Sequence, residues 1–247
     1  MQLREITNQI LDFCYPGICA SCRGASDGHA MLCEPCRIDL HGLESAPACE
    51  RCAMPLPEPG APCAHCRGKG LYPFEKILGL GIYVNPIQHL IHQMKYHQQW
   101  RLAEFFGDRL LAKQSVQSLL DGCDFIVAVP LHPLREIARG YNQAGLIARR
   151  LARGCGKKLS HPITRLRNTE TQTHLSPTKR EENMRGAFGL RNPDAVRERH
   201  VVIVDDVMTT GATLQAVGRA IKQGDPASIR AIVVARADPK RRGFEAI

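Results

Sequence analysis

The residues best placed to do chemistry are Asp205 and Asp206, followed closely by Thr209, Thr210, Gly211, Ala212 and Thr213. Before them stand Val201, Val202, Ile203 and Val204, four consecutive β-branched apolar residues. Such a run fits a strand buried on both faces of a parallel sheet. After them Leu214, Val217 and Ile221 fall on one face of a helix. Two carboxylates at the carboxyl end of such a strand sit where open α/β sheets bind ligands. The Thr/Gly run offers backbone N–H groups and hydroxyls at a helix N-terminus, a site suited to a phosphate dianion. Acids beside a phosphate cradle suit a phosphorylated sugar, with its hydroxyls on the carboxylates.

Two other readings of these letters fail. A P-loop NTPase would need a G-x-x-x-x-G-K-[S/T] run, and the nearest approach, Gly154-Cys155-Gly156-Lys157-Lys158, lacks the first Gly and the hydroxyl. A receiver domain would need most of its length after Asp206, where 41 residues follow. The stretch from Asp205 to Thr213 instead resembles the signature of the type I phosphoribosyltransferases, which bind phosphoribosyl pyrophosphate (PRPP). The resemblance implies that Asp205 and Asp206 hold the ribose 2′- and 3′-hydroxyls. It also implies that Thr209, Thr210, Gly211, Ala212 and Thr213 hold the 5′-phosphate.

Nine of the eleven cysteines precede residue 67, eight of them as C-x₂-C pairs: Cys19/Cys22, Cys33/Cys36, Cys49/Cys52 and Cys63/Cys66. Ten residues separate the first two pairs, and ten again the last two. In a reducing compartment this spacing reads as one or two structural tetrahedral Zn²⁺ sites. Sequential pairing and a cross-braced arrangement both fit. Cys14 and His65 are spare ligands, expected to be bystanders. A Pro/Gly-rich segment this small needs metal to hold its shape.

The elements that must position the site follow. Leu3, Ile6, Ile10 and Phe13 have helical spacing. Residues 76–84 read as a strand, Asn85-Pro86 as a cap with Pro at the first helical position, and Ile87, Leu90, Ile91 and Met94 as an apolar stripe. A helix is expected over 101–113. A buried strand over 124–129 stops at Pro130 and delivers His132, Arg135 and Arg139 to the same sheet edge, before a helix through Leu146, Ile147 and Leu151. In type I enzymes such a loop grips pyrophosphate. Residues 164–188 have no sustained apolar period; their Arg165, Arg167, Thr169, Gln172, Leu175, Arg180, Asn183, Arg185 and Phe188 suit a solvated basic loop or a lid. A last strand is expected over 229–234 and a charged tail from Asp238.

Composition bounds the class. Hydrophobic residues make up 44% of the 247, enough for one sizeable domain and a small one. No run of about 20 apolar residues predicts membrane insertion, and Met1-Gln2-Leu3-Arg4-Glu5 lacks a secretory core, so a cytoplasmic location is expected. Residues 1–75 hold six Lys/Arg against nine Asp/Glu, whereas residues 135–191 hold 13 against four. That basic stretch suits a pyrophosphate and equally a nucleic-acid backbone.

The order Cys-rich segment, Lys95-Tyr96, Pro130-Leu131-His132, Arg139-Gly140-Tyr141-Asn142-Gln143-Ala144, then the Asp-Asp motif is similar to the ComF family, which includes ComFC proteins and GntX-like relatives. The resemblance implies a type I phosphoribosyltransferase fold over residues 71–247, a parallel sheet flanked by helices, behind a Cys-rich zinc module over 1–70. It implies PRPP as ligand with Mg²⁺, and a cytoplasmic role in uptake or use of DNA beside other DNA-uptake proteins. If the site is catalytic, Arg135, Arg139 and Mg²⁺ would stabilise the leaving pyrophosphate while a nitrogenous acceptor attacks C1′. The alternative is a single-stranded-DNA-binding module that keeps the fold as a scaffold, although Tyr141 and Phe188 are the only stacking aromatics within 135–191.

Overall fold

The computed structural model describes residues 17–26, 30–167 and 183–238. The expected helix on Leu3 to Phe13, the spare Cys14, the loop residues Thr169, Gln172, Leu175 and Arg180, and the tail beyond Asp238 lie outside the described residues.

The Cys-rich segment opens with β1 (Gly17–Ile18) paired antiparallel to β2 (Ala25–Ser26), followed by α1 (Glu34–Ser45). Then come β3 (Ile77–Ile82), α2 (Ile87–Tyr96), α3 (Arg101–Leu111), α4 (Gln114–Asp121) and β4 (Phe125–Ala128). After β4 the chain forms α5 (Pro133–Arg139), α6 (Gln143–Cys155) and β5 (Lys158–Ser160). The antiparallel pair β6 (Ile163–Arg165) and β7 (Phe188–Leu190) precedes β8 (His200–Met208), α7 (Ala212–Lys222) and β9 (Ser228–Arg236).

Among the described residues the main sheet has five parallel strands in the order β3-β9-β8-β4-β5. Its centre is β8, whose Val201 to Val204 are fully buried as their β-branched run requires. From β4 the crossover through α6 runs outward to β5, and from β8 the crossover through α7 runs the other way to β9. Right-handed crossovers in opposite directions put α6 and α7 on opposite faces of the sheet. Between β4 and β8 lies the switch point, where strand-end loops part and leave a crevice.

Several expectations are revised. β8 carries the aspartates near its carboxyl end, as expected, but runs two residues past Asp206 to Met208, paired to β9 by Asp205 with Val233 and Met208 with Arg236. Asn85 does not cap α2; the cap position is Pro86 and no side chain bonds there. Helix α3 ends at Leu111, and α4 and α5 were not legible, being eight and seven residues long. Residues 164–188 are not wholly loop, since β6 and β7 occupy their ends and carry Arg165 and Phe188.

The apolar stripes fall as expected: Ile87, Leu90, Ile91 and Met94 are each fully buried, as are Val217 and Ile221 of α7. The Cys-rich segment is less separate than its composition suggests. Leu40 of α1, 2% exposed, belongs to the same core as Ile77 and Leu80 of β3. At Gly81 a Cβ would lie 2.9 Å from Ile87 Cδ1 and 3.2 Å from Leu43 Cβ, so the absence of a side chain lets α1 seat on the strand. Arg109 Nε donates to Glu44 at 2.7 Å, and Lys113 Nζ donates to the carbonyls of Glu44, Gly79 and Leu80 at 3.0, 3.1 and 3.3 Å. One ammonium thus ties the end of α1 to the strand it covers.

Leu40→Ala is therefore expected to cost about 2–5 kcal/mol, as for a buried leucine truncation, and to loosen the sheet rather than the Cys-rich segment alone. Hydrogen exchange checks this: the amides of Ile77 to Ile82 should lose protection in the variant. Protection lost only before residue 70 would show that α1 is dispensable to the sheet.

Candidate functional site

The site forms where β4 stops and β8 continues. Val129 donates to Val204 at 2.9 Å, and Pro130, with no N–H to give, ends the ladder. The next residues of β8 are the two aspartates. They line one cleft together with Lys95, Arg135, Arg139, Gln143, Arg165 and the residues Thr209, Gly211, Ala212 and Thr213.

The carboxylates have different surroundings, as neighbours on a strand must. Asp206 pairs with Lys95 Nζ at 3.2 Å, both side chains being nearly buried at 13% and 11% exposure. Asp205 accepts the backbone N–H of Asp206 at 2.9 Å. Burial, then the Asp206 charge, pushes its carboxyl up to about 7, against the opposing pull of Lys95 and Arg165. The two carboxylates are thus unequal: one is committed to an ion pair and the other is desolvated beside a like charge.

The next turn presents α7. Gly211 has φ +84°, and a Cβ there would lie 2.6 Å from Leu71 Cδ2. A left-handed backbone pressed against a leucine accepts only glycine at low cost. Thr209, Gly211, Ala212 and Thr213 reach the cleft, with Thr213 Oγ1 3.8 Å from Met184 Sδ. Thr210 turns away: its Oγ1 accepts Ala212 N–H at 3.3 Å, and its side chain borders a separate cavity with His65 and Arg236.

Opposite stand the cations. His132 Nδ1 accepts Leu134 N–H at 3.3 Å and caps α5; it is not among the cleft-lining residues, whereas Arg135 and Arg139 of that helix are. Burial, then Arg139, lowers the Arg135 pKa. Burial and the Arg135 charge lower that of Arg165 to about 10, with Asp205 opposing. Asn142 fixes the turn into α6, its Nδ2 donating to Val129 O at 3.0 Å and its Oδ1 accepting Gly145 N–H at 3.2 Å. Lys95 and Gln143 were marked by the sequence only as letters in a motif. Their contribution depends on which strand they face, which periodicity does not record.

The eight cysteines resolve into two sets, Cys19/Cys22/Cys33/Cys36 and Cys49/Cys52/Cys63/Cys66, each with its sulfurs within 4.8 Å of one another. This is the sequential pairing; cross-bracing is excluded. Sulfur separations of 3.5 Å (Cys22–Cys33), 3.7 Å (Cys49–Cys66) and 3.6 Å (Cys52–Cys63) match the edge of about 3.8 Å expected of a tetrahedron with 2.3 Å Zn–S bonds. The sets are closed, four thiols each, and so structural. His65 stands outside them.

Among the described residues no helix is long and apolar enough to cross a membrane. The double zinc ribbon domain family matches residues 10–67, and the phosphoribosyl transferase domain family matches residues 137–245. The "DNA utilization protein YhgH" of Salmonella typhimurium is 34% identical over 221 residues, covering 87% of this chain and 95% of that one. "Competence protein F" of Haemophilus influenzae is 31% identical over 233 residues, 89% of this chain and 96% of that one. "Competence protein ComFC" of Bacillus subtilis is 35% identical over 112 residues, 45% of this chain and 44% of that one. A solved purine phosphoribosyltransferase from Pyrococcus horikoshii is 19% identical, covers 54% of this chain and 84% of that one, and has a TM-score of 0.34, too low to add to the assignment. Coverage of 87% and 89% of the chain by the Salmonella typhimurium and Haemophilus influenzae relatives, together with both matched domain families, places the chain in the ComF family: a double zinc ribbon joined to a domain of type I phosphoribosyltransferase fold.

Proposed function

We propose that the cleft binds PRPP with Mg²⁺, and that the protein serves DNA uptake or utilisation, as the names of its relatives suggest. One observation carries this reading: two carboxylates on the projecting end of β8 share a cleft with a helix N-terminus opened by a left-handed glycine. Asp205 and Asp206 receive the ribose hydroxyls. Thr209 and Thr213, with the first-turn N–H groups of α7 that lack intrahelical partners, receive the 5′-phosphate. Arg135 and Arg139 hold the pyrophosphate, and His132 acts by capping the helix that presents them. Mg²⁺ commonly takes one or two carboxylates together with substrate phosphates, and the aspartate pair fits that habit. When bound, the ion offsets charge on the leaving pyrophosphate.

The transfer this arrangement suits is attack on ribose C1′ by a nitrogenous acceptor. The new bond is C1′–N, the broken one is C1′–O, the electron pair leaves on pyrophosphate, and the nitrogen's proton passes to solvent. Positive charge growing on the ribose lies beside Asp205 and Asp206. Negative charge growing on the leaving group meets arginines whose mutual repulsion is relieved by an anion, an arrangement that needs no reorganisation during reaction.

A second reading, direct binding of single-stranded DNA, is favoured by a feature outside the basic stretch. Tyr96 and Trp100 are 50% and 47% exposed, and Arg139 and Arg101 lie 5.5 Å from their respective ring centroids. Aromatic faces beside cations form stacking platforms for unpaired bases. Tyr141 and Phe188, the aromatics within the basic stretch, are engaged elsewhere, one bonded to the Met94 carbonyl and the other buried beneath Arg165. In fluorescence anisotropy with labelled single strands, Tyr96→Ala with Trp100→Ala should weaken binding about tenfold or more, at roughly 1–3 kcal/mol per stacked base. Unchanged affinity would remove the platform.

For PRPP, calorimetric titration with Mg²⁺ tests the aspartates. Loss of charge-assisted bonds of about 1.5–3 kcal/mol each should weaken the Asp205→Asn, Asp206→Asn double variant by a factor on the order of 10² to 10⁴. The single variants should differ in folding. Asp206→Asn strips Lys95 of its ion-pair partner and should lower Tm, while Asp205→Asn relieves a desolvated charge and should not. Equal binding by wild type and double variant would overturn the ribose role.

The pH dependence has a definite sign. Asp205 is raised to about 7 in the folded protein, from an unfolded value near 4, so the native state holds the proton more tightly. Stability from this group is present below about pH 4 and is lost as pH rises through about 7. Asp205→Asn should therefore raise Tm most clearly at pH 8. PRPP affinity should climb up to tenfold per pH unit below 7 and level off above it, since the ionised form is the stronger acceptor. In Asp205→Asn only the ligand's own titration should remain; an unaltered profile would count against Asp205 as the titrating group.

A further inference from the structure

The cavity that Thr210 borders lies on the far side of the Thr209–Gly211 turn from the cleft, and its other wall is the second zinc ribbon: Cys66, Lys69, Gly70 and Leu71. At its base is Arg236, the last residue of β9, 3% exposed. Its Nη1 donates to the Met208 carbonyl at 3.0 Å, directly before the turn. Its Nη2 lies 2.9 Å from His65 Nε2. A guanidinium can only donate, so His65 Nε2 accepts and carries no proton. His65 sits inside the Cys63–Cys66 knuckle. Arg236 Nε is buried with no hydrogen-bond partner among the described residues. Burial lowers the Arg236 pKa, and the charges of Cys52, Asp238 and Cys63 oppose that shift; Cys52 and Cys63 belong to the second tetrathiolate set.

A filled set of four thiolates around Zn²⁺ carries two negative charges, against which a desolvated guanidinium is stable. The turn is also held mechanically, since Leu71, just after the ribbon, is the side chain packed against Gly211. We propose that Arg236 is a positioning residue that couples the second zinc site to the phosphate-binding turn. Beside the Ala237 N–H, which also reaches the Met208 carbonyl at 3.0 Å, its guanidinium braces Met208, and hence Thr209 to Gly211, while the Cys63–Cys66 knuckle holds His65 in place. This inference rests on the PRPP reading for its ligand but not for its geometry. Ribbon and turn then form one coupled unit, and coupling between sites is reciprocal.

The test uses the full-length, zinc-loaded chain with Arg236→Met and, in case that buried change impairs folding, His65→Leu, which leaves all eight cysteines in place. Zinc content by elemental analysis should stay at the wild-type value in both. PRPP affinity with Mg²⁺ should fall about ten- to a hundredfold, the equivalent of one lost charge-assisted bond. Amides 209–212 should exchange faster while those of Val201 to Val204 do not change. Reciprocally, saturating PRPP should slow zinc release to a chelator in wild type, and not in the variants. If folded, zinc-loaded variants keep wild-type exchange at 209–212, the coupling is wrong. If wild type binds no PRPP, the ligand reading fails by itself. Exchange at 209–212 on mutating Cys63→Ser then decides the coupling: acceleration supports it and no change overturns it.

Discussion

The site depends on a mismatch in strand length. β4 stops at Ala128 because Pro130 cannot continue the ladder, while its neighbour β8 runs on to Met208 with β9 alone beside it. Beyond Val204 the β4 side of the central strand is therefore released from the sheet. Buried backbone groups need partners, and a strand projecting past its neighbour exposes edge groups to whatever fills the step. Had β4 matched the length of β8, Asp205 would lie within a three-strand ladder with no crevice beside it. The placement of one proline thus decides where the chain can bind a ligand.

Into that step the fold brings charges from four separate segments: Lys95 from α2, Arg135 and Arg139 from α5, Arg165 from β6, and the aspartates from β8. Their balance is incomplete. Asp206 has its lysine, but Asp205 is pushed toward neutrality, while burial with the Arg139 charge lowers the Arg135 pKa and burial with the Arg135 charge lowers that of Arg165. Like charges held together at a concave site represent strain that a ligand of complementary charge relieves. A molecule with hydroxyl donors at one end and phosphates at the other meets both demands.

Much of this was legible before any coordinates. The buried run Val201–Val204 and the stripe Leu214, Val217, Ile221 gave strand and helix by period alone, and the residues between them marked the turn. The spacing of the cysteines gave one or two metal sites but left the count and the pairing open, because sequence does not say which knuckles meet. The last two residues of β8, Val207 and Met208, are not legible as strand, because the adjacent carboxylates look like a terminus when the partner strand is unknown. Helix α5 went unseen because none of its residues is buried, so it carries no apolar period. Lys95 was a letter in a family pattern until the register placed it against Asp206. Thr210 shows the converse. As one of five letters in a motif it read as a phosphate ligand, yet in the fold it faces the ribbon side of the turn.

That reversal bears on why a zinc ribbon precedes this domain at all. β3 is an edge strand, and an open edge of a parallel sheet needs cover. Here the cover is α1 with the Lys113 clamp, and Ile77 N–H finds its acceptor in Glu50 of the second ribbon at 2.7 Å. The same ribbon continues across the end of the sheet to meet β9 at Arg236 and the turn at Gly211. Two small metal-held loops thus do what an additional strand or helix would otherwise have to do. They close the exposed flank of the sheet and back the turn that opens α7. The metal sites lie outside the cleft, but the residue that follows the second ribbon, Leu71, packs against the turn at Gly211 and Arg236 links His65 to the Met208 carbonyl.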